Sequence, residues 1–298
     1  MRTVIDATRV FYAFDATAAP IAAVASGAPL TIHTRDAYDG KADALDVEGY
    51  RRARVPGQMN PCTGPIAVRG ARPGDTLAVT IEAIRVAPRG YVAALPGTGL
   101  LADEPAPPGI EPFVVAGDAV RFASHVELPL RSMIGTIGVA PAEGSVATLS
   151  LGPHGGNLDV NAMRAGTTVY LPVRVPGAGF GVGDVHATMG DAEAHSGVNI
   201  AAEIDLTLRV VAGEPLAWPW LETATQVVTL GVAGDLVAAL RQAQRAMEAL
   251  LVARLSVSPT QARMLSGASV DLRLGQAGGY GVPVSAYAVF PRSALALR

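Results

Sequence analysis

The segment TTVYLPVRVPGAGFGVGDVH (Thr167–His186) is the part of this sequence that decides its predicted fold. Alternating and β-branched residues over 167–175 predict a strand, the Pro/Gly-rich stretch 176–179 predicts a turn, and a second short strand follows. Polar motifs precede the segment and overlap its end, HGGNLD at His154–Asp159 and GDVHATMGDAEAH at Gly183–His195. We therefore expect the two motifs to lie at the ends of neighbouring strands.

Strand-like segments of the same kind recur up to Val211, separated by Gly and Pro. Short strands at regular spacing with such turns are typical of β-sandwiches and barrels. Two stretches lack this pattern. Residues 41–57 predict a long irregular loop, and the Gly- and Pro-rich residues 90–112 predict a segment that wraps the surface.

The pattern changes to helices and strands after residue 213. Asp235 is a suitable N-cap for apolar residues at helical spacing over 236–255, and Ser258-Pro259 predicts the start of a second helix. Two further strands are predicted at 270–274 and 284–289. This tail contains no catalytic constellation that the sequence reveals.

These patterns together predict a mainly β fold, α+β overall. We expect jelly-roll or β-barrel-like sheets in a β-rich catalytic region at residues 1–213, followed by a small C-terminal α/β unit at residues 214–298.

Composition limits the partners and the compartment. Half of the 298 residues are hydrophobic. The net charge is −3 without blocks of like charge, so the sequence does not predict a basic surface that would bind nucleic acid or an anionic membrane. Cys62 is the single cysteine, which suits a reducing compartment. Acidic residues interrupt the N-terminal segment before its first apolar stretch, so we expect no signal peptide and a cytoplasmic protein.

The scarcity of lysine argues against lysine-dependent nucleophilic hydrolases. Lys41 is the only lysine, and no motif surrounds it, whereas Cys-Glu-Lys and Ser-Ser-Lys sites each need a lysine beside the nucleophile. Cys62 lies in a turn and is interpreted as a small, partly buried residue. A site that uses a metal ion or carboxylate groups therefore remains as the candidate chemistry.

The HGGNLD motif supplies candidate metal ligands. His154 and Asp159, together with His186 of the second motif, could provide the three protein ligands of a catalytic Zn²⁺ or similar divalent ion. The two glycines after His154 permit the unusual dihedral angles of a bent ligand loop. The alternative is a set of turn residues that satisfy their own backbone.

The second motif is dense in titratable groups, since His186, Asp191, Glu193 and His195 fall within ten residues. If Asp191 and Glu193 lie on a strand, their side chains share a face, and the pairing would raise one pKa as a general acid/base requires. A solvated acidic loop is the alternative. We interpret His195 as a surface residue.

The sequence resembles the acetamidase/formamidase family, whose members hydrolyse short aliphatic amides to a carboxylate and ammonia. The matching stretches cover nearly the whole chain in the family's order, and they are NPCTGPIAVRGARPGDTLAV, IGTIGVAP, GPHGGNLD, TTVYLPVRVPGAGFGVGDVHATMGDAEAH and AGDLVAALRQAQRAMEALL. The resemblance implies a mostly β fold, a dimer or higher homo-oligomer, a metal-bearing pocket and a small amide substrate.

Position by position, the resemblance implies a set of site residues. The metal, most simply zinc, would be held by His154, Asp159 and His186, and a catalytic pair would consist of Glu193 as general base and Asp191. Asn60 and Asn157 would bind substrate through amide groups that both donate and accept hydrogen bonds.

Other positions complete the comparison with the family pattern. Glu203 matches an acid that follows the second motif and is a further pocket candidate. Met189 and Ala192 depart from the family's Gln and Gly. The alternative to an amidase is therefore a β protein of the same fold that binds a metal or small ligand with impaired catalysis.

Overall fold

Two large β-sheets contain most of the chain in a computed structural model, which describes residues 2–42, 46–53, 55, 57–105, 107–123, 125–277 and 283–295. In chain order the strands are β1 (Thr3–Ile5), β2 (Val10–Phe11), β3 (Ala13–Asp15), β4 (Ala22–Ala25), β5 (Pro29–Thr34), β6 (Cys62–Arg69), β7 (Thr76–Val86), β8 (Arg89–Ala94), β9 (Gly109–Ala116), β10 (Ala119–Phe122), β11 (Val126–Pro129), β12 (Met133–Gly138), β13 (Ser145–Ala147), β14 (Leu151–Gly152), β15 (Gly155–Asn157), β16 (Thr168–Pro172), β17 (Phe180–His186), β18 (Asn199–Ile200), β19 (Ala202–Val211), β20 (Trp220–Glu222), β21 (Gln226–Ala233), β22 (Asp271–Leu274) and β23 (Val284–Pro291). The helices are α1 (Val47–Ala53), α2 (Leu236–Leu255) and α3 (Pro259–Ser269), with short 3-10 helices at Asp191–Glu193 and Arg292–Leu295.

The first sheet has the strand order β1-β5-β19-β7-β16-β20-β21-β23-β22, and the second has the order β11-β10-β9-β8-β18-β17-β12-β15-β14. In the second sheet β6 also pairs with β17, β2 and β4, while β3 and β13 form a separate pair. One cluster of buried apolar side chains contains residues of both sheets, including Val79 and Leu206 of the first and Ile137 and Val182 of the second. The mainly β prediction is confirmed.

The two predicted helices are present with the predicted caps. The side chain of Asp235 accepts a hydrogen bond from the backbone N–H of Ala238 at 2.9 Å, which satisfies one of the free donors at the start of α2. Ser258 forms a capping box with Gln261 at the start of α3. Along α2, Met247 and Leu251 are buried in a second apolar cluster that also contains Phe290 of β23.

The segment 167–186 differs from its prediction in one respect. Its two strands form, but β16 belongs to the first sheet and β17 to the second, so they are not neighbours in one sheet. A Pro/Gly turn has the same composition whether it closes a hairpin or carries the chain from one sheet to the other. The expectation of neighbouring strands at this turn is wrong.

Two stretches are more regular than predicted. The predicted loop at 41–57 contains helix α1, while residues 43–45, 54 and 56 lie outside the described residues. The predicted surface segment at 90–112 contributes to strands β8 and β9, which pair antiparallel from Arg89 opposite Val114 to Ala94 opposite Gly109. The predicted boundary at residues 213 and 214 stays a prediction, and the first sheet contains strands from both sides of it.

Within the described part of the chain, no helix combines the length and apolar character needed to cross a membrane.

Candidate active site

Strand β12 brings the two polar motifs together. On one side it pairs with β15, placing Asn157 opposite Thr136, and on the other with β17, placing His186 opposite Met133. Directly after β15, the backbone N–H of Asp159 donates to the carbonyl of Gly135 at 3.2 Å. The motifs therefore meet across one shared strand, although they are far apart in sequence.

His186 lies at the centre of a group of carboxylates. Its Nε2 atom is 3.4 Å from Oδ1 of Asp159, 3.7 Å from Oδ1 of Asp184 and 3.9 Å from Oε1 of Glu193. The side chains of His186, Asp159 and Asp184 are at most 4% exposed, and that of Glu193 is 13% exposed. Three acidic groups thus surround one imidazole nitrogen in the interior.

Gly135 of β12 makes this close approach possible. A Cβ atom at this position would lie 2.5 Å from Oδ1 of Asp159 and 2.8 Å from both the carbonyl oxygen and Oδ2 of Asp184. Such separations are shorter than van der Waals contact. The lack of a side chain at residue 135 is therefore a condition for the two aspartates to occupy the same face of the strand.

A hydrogen-bond network fixes the side of the group that faces β15. Nδ2 of Asn60 donates to Oδ1 of Asn157 at 2.8 Å and to Oδ2 of Asp184 at 2.6 Å. Oγ1 of Thr136 donates to Oδ1 of Asn157 at 2.6 Å. Both acceptor lone pairs of Asn157 Oδ1 are thus used, which leaves its Nδ2 group as the part of the side chain available to a ligand.

Burial raises the pKa of every carboxyl group in the cluster. The pKa of Asp159 lies well above its usual range because the group is buried and close to Asp184. Burial likewise raises the pKa of Asp184, and burial together with the charge of Asp159 raises that of Glu193 well above normal. Ionised carboxylates at this site therefore require a compensating positive charge.

The backbone of the site is strained at several positions. Asn60, Asp159, Asp184, Ala192 and Glu193 all have positive φ, with values of 50°, 49°, 52°, 77° and 38°. Non-glycine residues adopt this conformation at a cost of about 1–2 kcal/mol each, and such residues concentrate at functional sites. The expected unusual dihedrals of Gly155 and Gly156 are also present, at 97° and 92°.

The arrangement fits a divalent cation. One ligand atom from each of Asp159, His186 and Glu193 lies within 4.8 Å of the others, and Oδ1 of Asp159 and both ring nitrogens of His186 are buried without a hydrogen-bond partner among the described residues. Within those residues, no arginine or lysine lies within 4.0 Å of the three carboxylates. Carboxylate oxygens and a neutral imidazole nitrogen form a donor set that suits zinc and related ions.

A small cavity of about 170 Å³ opens onto this group. Asn60, Asn157, Asp184, Glu193 and Gln276 form its polar wall, and its remaining lining residues are Ala37, Tyr38, Met59, Leu149, Ser196 and Asn199. Drug-sized ligands occupy pockets of about 300–1,000 Å³, so this cavity has room only for a smaller molecule.

His154 is not brought into the group, which corrects the predicted ligand set. Residue 155, directly after it, pairs with Gly138 at one end of β12, whereas His186 pairs with Met133 at the other end. Five strand residues span about 16 Å. His154 is instead buried edge-to-face against Phe14, with ring centroids 5.3 Å apart, and Glu193 takes its place beside Asp159 and His186.

Asp191 and Glu193 do not share a face. They lie not on a strand but in a short 3-10 turn that positive φ at Ala192 and Glu193 interrupts, and their side chains have different neighbours, since Glu193 lies near His186. Oδ1 of Asp191 accepts hydrogen bonds from Asn161 at 2.7 Å and Tyr287 at 3.0 Å, and the residue lines a separate cavity of about 640 Å³.

Glu203 is also distant in the fold. It is half exposed on β19, where it lies 3.3 Å from Nε of Arg85 and 3.8 Å from Nε2 of His33. It does not line the small cavity beside Asp184 and Glu193.

Two residues of this site, Asp184 and Gln276, were not predicted from the sequence. Asp184 lies inside GDVH, where an acid within the apolar strand FGVGDVH is a pattern that could have identified it. Gln276 follows β22 in the C-terminal region, and its Nε2 atom donates to Oδ2 of Asp159 at 3.1 Å and Oε2 of Glu193 at 3.3 Å. The C-terminal region, in which the sequence reveals no catalytic constellation, therefore contributes one side chain to this group.

Comparison with known proteins places this chain in a family. The sequence model described as the acetamidase/formamidase family matches residues 7–150 and 142–275. The acetamidase structure from Bacillus halodurans is 33% identical with a TM-score of 0.92, over 99% of this chain and 100% of that chain. The structure of a predicted acetamidase/formamidase from Thermoanaerobacter tengcongensis is 32% identical with a TM-score of 0.92, over 99% and 97% of the two chains.

A formamidase of Methylophilus methylotrophus is 43% identical over 54 residues, which are 18% of this chain and 13% of that protein. The matches to two curated relatives span only 10% and 13% of those proteins' lengths. The family model and the two structures, however, each cover most of the chain. The chain belongs to the acetamidase/formamidase family.

Proposed function

We propose that the protein hydrolyses short aliphatic amides of the formamide and acetamide type to a carboxylate and ammonia. The observation that supports this most strongly is the cavity of about 170 Å³ whose wall includes Asp184 and Glu193, two of the carboxylates that surround His186. Its size suits an amide of few heavy atoms, and its wall offers both hydrogen-bond donors and proton acceptors. Family membership supports the same reaction class.

In this proposal Asp159 and His186 hold a divalent metal ion, most simply Zn²⁺, and Glu193 is close enough to offer a further ligand atom. When bound, such an ion polarises a carbonyl oxygen and lowers the pKa of water. Gln276 donates to both Asp159 and Glu193 and so holds these two carboxylates in place around it.

Glu193 is the proposed proton carrier. Of the carboxyl side chains around His186 it is the most exposed, and it lines the cavity where a substrate would lie. It accepts a proton from water as the water oxygen bonds to the carbonyl carbon, and it delivers that proton to the nitrogen as the C–N bond breaks. The products are a carboxylic acid, which ionises, and ammonia.

Asn157 is the proposed partner of the substrate oxygen. Its Oδ1 atom is occupied by Asn60 and Thr136, so its Nδ2 group can donate to the carbonyl oxygen and to the negative charge that develops there. Asn60 acts through Asn157 and Asp184, whose orientations it fixes.

The alternative function, ligand binding with impaired catalysis, rests on the departures at Met189 and Ala192. Met189 lines the neighbouring cavity with Asp191 and not the small cavity. Ala192 keeps a left-handed conformation, with φ of 77°. Neither residue removes a polar group from the cavity wall, so we favour the amidase.

Ammonia release from a panel of formamide, acetamide, propionamide and butyramide tests the proposal. We expect turnover that is greatest for the shortest amides and falls with chain length as the cavity fills. An absence of ammonia from the whole panel, with protein that contains its metal, would favour the binding protein instead.

We also propose that the chain forms a homodimer or larger homo-oligomer. Large apolar side chains are exposed on both C-terminal helices, with Val237 of α2 at 54% and Met264 of α3 at 70% exposure. Light scattering at micromolar concentration should give at least twice the chain mass, and a strictly monomeric mass would contradict the proposal. The cytoplasmic location stays a prediction.

A further inference from the structure

Gln276 occupies a fixed position at the candidate active site. Its backbone N–H donates to Oγ of Ser285 at 2.7 Å, and its carbonyl accepts from the N–H of Ser285 at 3.0 Å. The next residue, Ala277, donates to the carbonyl of Ala192 at 2.7 Å. Gln276 is thus held from the start of β23 and from the 3-10 helix, and it is buried.

The orientation of its side-chain amide follows from its neighbours. Nε2 lies 3.1 Å from Oδ2 of Asp159 and 3.3 Å from Oε2 of Glu193. With the proposed cation bound the two carboxyl groups are ionised, so the reversed orientation would direct the amide oxygen at groups that have no proton to donate. The NH₂ group therefore faces the carboxylates, and Oε1 faces away from them.

Oε1 of Gln276 is a buried acceptor without a hydrogen-bond partner among the described residues. Gln276 also lines the small cavity beside Glu193 and Asn157. A buried carbonyl left unpaired costs about 1–3 kcal/mol, so an N–H or O–H donor in the cavity would be favoured next to it.

We propose that Oε1 of Gln276 accepts a hydrogen bond from the NH₂ group of a primary amide substrate and selects it over carbonyl compounds that lack an N–H. This inference rests on the proposed amide hydrolysis. The substrate would then lie with its carbonyl oxygen at Nδ2 of Asn157 and its nitrogen between Gln276 and Glu193. In this position Glu193 is next to the nitrogen that must receive the proton.

The same contact gives a reason for specificity. A site built to pair with an N–H group rejects an analogue without it, because the acceptor is left unpaired in the complex. Acetone is the sharpest such analogue of acetamide, since a methyl group replaces NH₂ while the carbonyl and the size are kept. Acetone also cannot be hydrolysed.

The experiment compares the dissociation constants of acetamide and acetone by ligand-observed NMR, for the wild-type protein, for Gln276→Met and for the control Gln242→Met on α2. We expect the wild-type protein and the control to bind acetamide at least about tenfold more tightly than acetone, a difference of about 1.4 kcal/mol. Gln276→Met should abolish this difference, because it should raise the dissociation constant of acetamide while that of acetone stays within about twofold of the wild-type value.

If Gln276 only holds the carboxylates in place, Gln276→Met should change the dissociation constants of both ligands by the same factor, and that result would overturn the inference. Equal binding of the two ligands to the wild-type protein would overturn it as well, even if Gln276→Met does not fold. Because neither result depends on turnover, selective acetamide binding without ammonia release would instead contradict the proposed hydrolysis alone.

Discussion

Nε2 of His186 lies 3.4 Å from Oδ1 of Asp159, and neither atom has a hydrogen-bond partner among the described residues. Buried polar atoms are nearly always paired, so two buried atoms that face each other without a partner are suited to hold a cation between them. A divalent cation would pair with both atoms and offset the charge of the surrounding carboxylates.

Metal content is the first prediction. Elemental analysis of protein prepared without chelator should find about one divalent ion per chain, and Asp159→Asn and His186→Asn should lose it because each removes a donor atom. His154→Phe should keep the ion, since His154 lies at the far end of β12. Equal metal content in all four proteins would contradict the assigned ligands.

Gly135→Ala in strand β12 is expected to displace the side chains of Asp159 and Asp184 at the candidate site. The new Cβ would meet Asp159 Oδ1 at 2.5 Å and the Asp184 backbone oxygen at 2.8 Å, and the paired strand β17 limits how far that oxygen can move. We expect a loss of about 1–3 kcal/mol in the free energy of unfolding and at least a tenfold fall in kcat/KM.

The matched control for this substitution is Gly234→Ala, where a Cβ meets nothing within 4 Å and φ is not positive. Its stability in urea unfolding should stay within about 0.5 kcal/mol of the wild type. Equal effects of the two substitutions would show that the contacts at Gly135 are unimportant.

Ala192→Gly should stabilise the protein. Ala192 has φ of 77°, a conformation that costs an alanine about 1 kcal/mol and glycine almost nothing. For a chain of this size we expect the Tm to rise by about 2 °C. The same substitution at Ala194, where φ is −53°, should lower stability by about 0.5 kcal/mol. A Tm that falls for both variants would contradict the strain argument.

His154 should make stability depend on pH. Burial lowers its pKa to about 4, so the folded state binds fewer protons than the unfolded state between pH 6.5 and 4. The stability that its neutral form provides is complete above pH 6.5 and is lost as the pH falls through 4, by about 3 kcal/mol in total.

Urea unfolding of wild type and His154→Phe at several pH values measures this contribution. The variant should lose less stability than wild type over the interval, and a variant of the exposed His125, such as His125→Gln, should follow the wild type. Parallel pH profiles for wild type and His154→Phe would rule out the assignment to His154.

Local sequence patterns located the two C-terminal helices, but they missed α1 and parts of β8 and β9 and did not predict how the strands assemble. The caps at Asp235 and Ser258 depend on residues three positions away, so the helices could be located. Strands β16 and β17 lie in different sheets because each pairs with strands that are distant in sequence, and the residues of the Pro/Gly turn between them do not determine that pairing.

The candidate site shows the same division. Asp159 and His186 could be predicted because each lies in a dense polar motif. His154 was misplaced because its position depends on strand register along β12, which moves a residue by about 3.3 Å per step. Gln276 lies 83 residues from Glu193 in the chain and stands alone in a Gly-rich segment, so only the folded structure joins the two.

The proposed role of Glu193 as the proton carrier is tested by the kcat of Glu193→Gln. The substitution keeps the shape of the side chain but removes its ability to accept a proton. Measured per bound metal ion, kcat for acetamide should fall by about two to four orders of magnitude. Asp191→Asn, in the neighbouring cavity, should retain most of the activity. A near-normal kcat for Glu193→Gln, or a loss of activity in Asp191→Asn alone, would contradict the account.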